Sequence, residues 1–328
     1  MFVRSASLPA WFHDVRLVCR RSMEGNGDLP TMCAIHSAQI AERQLTDAEE
    51  RFLHGREPTA ALRFSDAEGI SQGRQSRVSV LEYDRDGKTH QVIWKRMGAN
   101  KRLTHEEAHQ LWLRLDSYRT SLLGSGWTVP QLLYSAVVEI SKVEHQIFSY
   151  EQFIPGGDGD SLLADPSEPN FRKWHFVTEV LRRLYAYPAR RTNELGGREL
   201  TLLPHGLDLK AANLVLEPQT DQLYFVDLFG PKELTEDGNW RVFSPKIDPL
   251  PPRNLMAVCA TREGCLLRFW RLARRLWEPE YTRRGLLTAE LMEQLSRFDP
   301  PHSEFDFIEQ EIADGFPWLN ELYSERQV

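Results

Sequence analysis

The chain has 328 residues, 41% of them hydrophobic and 27% charged, with a formal net charge of -7. This is a globular composition, long enough for one large domain or two lobes, and its acidic balance argues against a general nucleic-acid binder. No apolar run is long enough to span a bilayer and residues 1–21 lack the apolar core of a signal peptide, so the expected location is cytoplasmic, with no membrane and no nucleic acid as partner.

Residues 1–59 carry no catalytic signature; a polar stretch, "SMEGNGDLPT", precedes "CAIHSAQIAERQLTDAEERFL" (33–53), which predicts a helix. From residue 60 the texture is that of strands: "AALRFS", a loop "EGISQGRQS", then "RVSVLEY", a tight turn "DRDGK" and "HQVIWKRM". Val78, Val80 and Leu81 before the turn and Val92, Ile93 and Trp94 after it fit a pair of antiparallel strands. "LTHEEAHQLWLRLDSYRTSLL" places Ala108, Leu111, Leu115 and Leu122 on one stripe at helical spacing. "VPQLLYSAVVEI" and "HQIFSYEQF" read as two further strands, and the run from Gly156 to Asp160 breaks the pattern at a lobe junction. The remainder is mainly helical, with "FRKWHFVTEVLRRLYAY" and "GCLLRFWRLARRLW" as the strongest segments, and between them one hairpin, "NLVLEP", "QTD", "QLYFVDLFG". The aromatic and basic runs "RRLYAYPARR" and "RFWRLARR" read as solvated helix faces over core aromatics.

Several residues could carry chemistry. Lys95 ends an apolar strand, and Glu107 on the next helix could pair with it. Thr104-x-x-Glu107 is equally a capping-box pattern, in which case Glu106 would be the substitute. Asp208 and Asn213 flank the opening of the hairpin and Asp227 closes it, so an antiparallel return would bring the three together. Asn213 and Asp227 would then offer hard oxygen ligands to a Mg²⁺ ion beside phosphates. Phosphoryl transfer needs little covalent help but needs cations for phosphate, oxygens for metal and a group to orient the acceptor. The ten histidines show no metal-ligand spacing, no G-x-S-x-G is present, and His205 reads as structural. The four cysteines lack CxxC spacing and read as reduced thiols.

With these residues in view, "HG…DLKAANLVLEPQTDQLYFVDLFG" resembles the catalytic and metal-binding hairpin of the protein-kinase-like superfamily, in its aminoglycoside phosphotransferase and choline kinase-like branch. "VIWK" is similar to its strand lysine motif, "EEAHQLWL" to its Glu-bearing helix and "SYEQFIPGG" to its adenine-contacting hinge. The resemblance implies an α+β, two-lobed fold, with an N-terminal extension and helix over 1–59, an N-lobe over 60–155 and a C-lobe over 156–328. It implies ATP and Mg²⁺ as cofactors. Lys95 would meet phosphates and Glu107 would hold it, with Gly73 also near phosphate, alongside Ser71 or Ser76. Gln152 and Phe153 would lie at the adenine, Asp208 and Lys210 would be catalytic, and Asn213 and Asp227 would bind metal. The implied reaction is phosphorylation of a hydroxyl on a small molecule, a metabolite or antibiotic-like compound. A peptide or protein Ser/Thr kinase, suggested by Lys210, and an inactive pseudokinase scaffold are the alternatives. Two departures stand out: Leu207 adds a residue to HGD, and "DLFG" adds one to DFG.

Overall fold

The computed structural model describes residues 35–36, 63–65, 76–85, 88–97, 103–186, 191–195, 198–230, 233–234, 253–277 and 284–324. Ser71 and Gly73 lie outside the described residues, as does most of the helix expected over 33–53. The exception is Ile35–His36, which is a strand, β1, paired parallel at Ile35↔Val138. A sheet edge offers unpaired backbone groups, and extended chain satisfies them. Periodicity within the segment does not register that demand.

Strands β2 (Arg63–Ser65), β3 (Ser76–Arg85), β4 (Lys88–Met97), β5 (Leu132–Ser141) and β6 (Glu144–Gln152) join β1 in a six-stranded sheet of order β1-β5-β6-β4-β3-β2. Every pairing but β1–β5 is antiparallel. Helix α1 (His105–Gly124) follows β4 and buries Ala108, Leu111, Leu115, Tyr118, Arg119 and Leu122, a superset of the expected stripe. Because strand side chains alternate, the sheet has two distinct faces. Leu81, Val92, Trp94, Val138, Phe148 and Tyr150 form a core on one. Met97 and Ile147 belong instead to the main core, shared with α1 and the C-terminal helices. Lys95 therefore shares its face with the main core.

The C-terminal part contains α2 (Gly159–Ala164), α3 (Asn170–Ala186), β7 (Arg191–Leu195), β8 (Arg198–Leu202), β9 (Leu214–Leu216), β10 (Leu223–Phe225), α4 (Arg253–Ala260), α5 (Arg262–Trp277), α6 (Arg284–Ser296), α7 (His302–Ala313) and α8 (Pro317–Ser324). This is the expected α+β arrangement, a sheet that is antiparallel but for β1–β5 followed by a mainly helical C-terminal part. β9 and β10 are the expected hairpin, paired Leu214↔Phe225 to Leu216↔Leu223. A second hairpin, β7–β8, was not anticipated, although Gly196-Gly197 between its strands is a turn signal. Its arms are short and polar, which hid the alternation.

Helix α5 is the axis of the C-lobe. Trp174 of α3 lies 4.8 Å from the Trp277 ring and 6.0 Å from Trp270, centroid to centroid. At its start α5 presses against α4 through Gly264, where an added Cβ would meet the Ala257 carbonyl oxygen at 2.0 Å and Thr261 Oγ1 at 2.8 Å. Backbone cannot yield to that overlap without moving α4 and α5 apart. Gly264→Ala is therefore expected to destabilise the chain by at least about 1–3 kcal/mol in urea unfolding, the usual cost of overpacking; an unchanged midpoint would contradict this close approach.

Candidate active site

Lys95 lies on β4 opposite Ser149 of β6, with Glu151 opposite Ile93, so Lys95 and Glu151 are diagonal neighbours on one face. The Lys95 ammonium donates to Glu151 Oε2 at 2.7 Å and to the Val226 carbonyl at 2.6 Å. Glu151 is 1% exposed, and its other oxygen accepts from Arg119 Nη2 at 3.1 Å and from Ser149 Oγ at 3.4 Å. Arg119 also donates to the Pro130 carbonyl. A buried carboxylate thus stands between two cations, one from the sheet and one from α1.

Glu107 is not part of this arrangement. Its carboxylate accepts from the Thr104 amide at 2.8 Å while Thr104 Oγ1 accepts from the Glu107 amide at 3.2 Å, the reciprocal bonds of a capping box. The first turn of an exposed helix end has orphan amides to satisfy, and that local demand holds Glu107. Glu106 does not replace it; its Oε1 accepts from Gln110 Nε2 at 2.8 Å. The helix supports Lys95 through Arg119 and Glu151 instead.

The hairpin draws the remaining residues together. The Val226 amide donates to the Asn213 carbonyl at 2.9 Å, placing Asp227 beside Asn213. Asn213 Nδ2 donates to the Asp208 backbone carbonyl at 2.7 Å, which points its Oδ1 away from that bond. Asp208 Oδ2 lies 2.9 Å from Lys210 Nζ, and its Oδ1 lies 2.5 Å from Arg268 Nη2 on α5. Asp227 Oδ1 accepts from the Phe229 amide at 3.1 Å, so the extra residue in "DLFG" is spanned by a side-chain turn. The phenol of Tyr118 is fully buried, and burial first, then Asp208, Cys265, Cys259 and Asp227, push it up well above its ordinary value.

Leu207, the insertion, is fully buried. Its amide donates to the Cys259 carbonyl at 2.7 Å, and Tyr118 Oη donates to the Gly206 carbonyl at 2.7 Å. The added residue is absorbed by the C-lobe core and the loop remains anchored on both sides. His205 is buried edge-on to Tyr118, at 5.7 Å between centroids, a structural place. Gln152 and Phe153 are half-buried at the end of β6, where the Gln152 amide bonds the Gln131 carbonyl at 2.9 Å. Ile154 beyond them packs with Val215, Tyr224 and Val226 of the hairpin region. Ser76 opens β3.

Glu151, Arg119, Arg268 and Asp160 were missed in the sequence. Alternation along "IFSYEQ" puts Glu151 on the Lys95 face and was the available signal. Arg268 was read as a solvated face residue, yet its side chain is 13% exposed and bound to Asp208; only the approach of α5 to the loop reveals this. Burial lowers its affinity for a proton, but Cys259 and Asp208 more than offset that and leave it raised. Asp160 accepts from the Ala212 amide; burial, then Asp158, raise its carboxyl, opposed by that bond and Lys210.

Among the described residues no group of three or more His, Cys, Asp or Glu could hold a metal. A metal here would rest on Asn213 and Asp227 with oxygens from a bound ligand. That donor set fits Mg²⁺, which is usually held by one or two protein oxygens plus phosphates and water.

No family model and no curated protein matches the chain. Among solved structures it is similar to one titled "WaaP in complex with acyl carrier protein", at 15% identity and a TM-score of 0.39, covering 87% of this chain and 97% of that chain. A likeness of that degree carries no argument about activity.

Glu151 is the groups' common counterion. Glu151→Leu would leave Lys95 and Arg119 facing each other in a buried site, and should cost about 3–5 kcal/mol in urea unfolding. A loss under about 1 kcal/mol would mean that solvent, not Glu151, neutralises them.

Proposed function

We propose that the protein is an ATP- and Mg²⁺-dependent phosphotransferase acting on a hydroxyl of a small molecule. The observation that supports this most is the continuous set of bonds from Lys95 of β4 through Val226 and Asn213 to Asp208, which links a cation from the sheet to the hairpin residues Asn213 and Asp227 and to the loop that carries Asp208. Bound Mg-ATP would supply the phosphoryl group and the charge that neutralises it in transfer.

The chain's own residues have separable tasks. Asn213 is held by its amide nitrogen on the Asp208 carbonyl, so its oxygen is pre-oriented, and Asp227 is set beside it by the Val226 amide. Lys95 would exchange its Val226 carbonyl for phosphate oxygen while keeping Glu151. Lys210, ion-paired to Asp208, would meet the transferred group. Asp208 would accept the hydrogen bond of the acceptor hydroxyl and orient it, while Arg268 fixes the carboxylate from the other side. Ile154, Val215, Tyr224 and Val226 form a small apolar patch at the end of β6, suited to a base. Among the described residues no helix is long and apolar enough to cross a membrane.

The test is thermal unfolding with and without Mg-ATP. A ligand held only by the folded chain stabilises it by about 2.7 kcal/mol at a hundred times its dissociation constant. The melting temperature should rise with Mg-ATP, and the rise should be lost in Asp227→Asn. Asp208→Ala should keep the rise and lower turnover by about 10²-fold or more. No Mg²⁺-dependent rise in the unaltered chain would sink this reading.

A further inference from the structure

Arg268 also lines a cavity of ≈ 230 Å³, together with Arg271, Leu272, Arg275, Leu319 and Tyr323. The first four occupy one face of α5 at spacings of three, four and seven residues, spread over roughly 10 Å of helix. Leu319 and Tyr323, four apart on α8, form the opposite wall. Arg268 is the shared element: one guanidinium nitrogen binds Asp208 Oδ1 at 2.5 Å and another lies 3.0 Å from Cys259 Sγ. One side chain thus both lines the cavity and binds the candidate catalytic carboxylate.

Charge decides what such a space would hold. Arg268 is compensated by Asp208. Arg271 stacks its guanidinium over the Tyr323 ring, 5.4 Å from the centroid, and Arg275 is exposed at the rim. Among the described residues neither of these two has a carboxylate within ion-pair distance. Burial, then the neighbouring Arg275, lower Arg271 from the ordinary arginine value, the direction expected for like charges kept together without a counterion. An anion entering between them relieves that repulsion and finds planar forks matched to phosphate or carboxylate oxygens. The volume is below that of pockets enclosing whole drug-sized ligands, so it suits one head group. Leu272, Leu319 and the Tyr323 ring add an apolar side.

We propose that this cleft is an anion-binding subsite that anchors the phosphoryl acceptor, so that the acceptor is a hydroxyl compound bearing a phosphate or carboxylate on a partly apolar body. The inference rests on the phosphotransferase reading for the word acceptor, and on Arg271 and Arg275 for the anion. The anion would sit against α5 while the hydroxyl reaches past Arg268 to Asp208. A cationic acceptor would be repelled by the same residues.

The probes are phenyl phosphate, benzoate and inorganic phosphate, titrated calorimetrically into the full chain without nucleotide. At least one should bind saturably, one per chain, and bind about tenfold or more weakly, roughly 1.4 kcal/mol, when Arg271→Gln and Arg275→Gln are combined. Tighter phenyl phosphate would mark phosphate as the recognised group, and tighter benzoate would mark carboxylate. Removing the same charge from exposed ion pairs elsewhere, by Arg182→Gln with Arg297→Gln, should leave binding unchanged. No saturable binding at millimolar probe, or equal weakening in the two double variants, overturns the subsite. Stabilisation by Mg-ATP reports the nucleotide site independently. Anion binding through Arg271 and Arg275 without that stabilisation would leave the subsite standing and remove the phosphotransferase reading alone.

Discussion

A carboxylate that is 1% exposed is costly to keep ionised unless cations meet it, and Glu151 is met by Lys95 at 2.7 Å and Arg119 at 3.1 Å. These three side chains come from β6, β4 and α1. The ion triad therefore fixes the sheet, the helix and the direction of the Lys95 ammonium together. Because the ammonium also takes the Val226 carbonyl, the N-lobe sheet is tied to the hairpin immediately before Asp227. Disturbing Glu151 would release Lys95 and the hairpin's registration at once.

From Val226 the ordering passes through backbone and amide groups rather than through charge. The Asn213 carbonyl takes the Val226 amide, and the Asn213 side chain takes the Asp208 carbonyl. Asp208 in turn is held by Lys210 and by Arg268 from the best-packed helix of the C-lobe. The rigid scaffold thus reaches the polar loop from both lobes, which is what preorganisation of charged groups requires. The inserted Leu207 does not interrupt this, since a leucine at that point adds core contact and passes its amide to Cys259. The same α5 that holds Asp208 through Arg268 carries Arg271 and Arg275, so the loop and the arginine cleft share one helix.

Much of the scaffold was legible because it obeys local periodicity. The apolar stripe Ala108, Leu111, Leu115 and Leu122 follows the helical repeat, and the sequence signal "DRDGK" marks the break between two alternating strands, β3 and β4. The hairpin carrying Asn213 and Asp227 was visible for the same reason. What escaped depends on contacts between distant segments. The partner of Lys95 lies 56 residues away on a neighbouring strand, whereas Glu107 was captured by a cap three residues off. A local bond that satisfies a helix end prevails over a remote one when both compete for one carboxylate. Arg268 looked like solvated charge because nothing in its own helix indicates that Asp208, 60 positions earlier, packs against it. Strand β1 and the β7–β8 hairpin were missed for want of length: two to five residues do not establish a period.

The proposed phosphotransferase reading requires Asn213 and Asp227 to act as a metal-binding pair completed by nucleotide phosphate. Electron paramagnetic resonance of Mn²⁺ in place of Mg²⁺ addresses it directly, since free and bound Mn²⁺ give distinct signals. The account predicts that Mn²⁺ binds the chain appreciably only with ATP present, and that Asn213→Ala weakens this joint binding by about tenfold or more. Mn²⁺ binding that is indifferent to ATP, or untouched by Asn213→Ala, would contradict it.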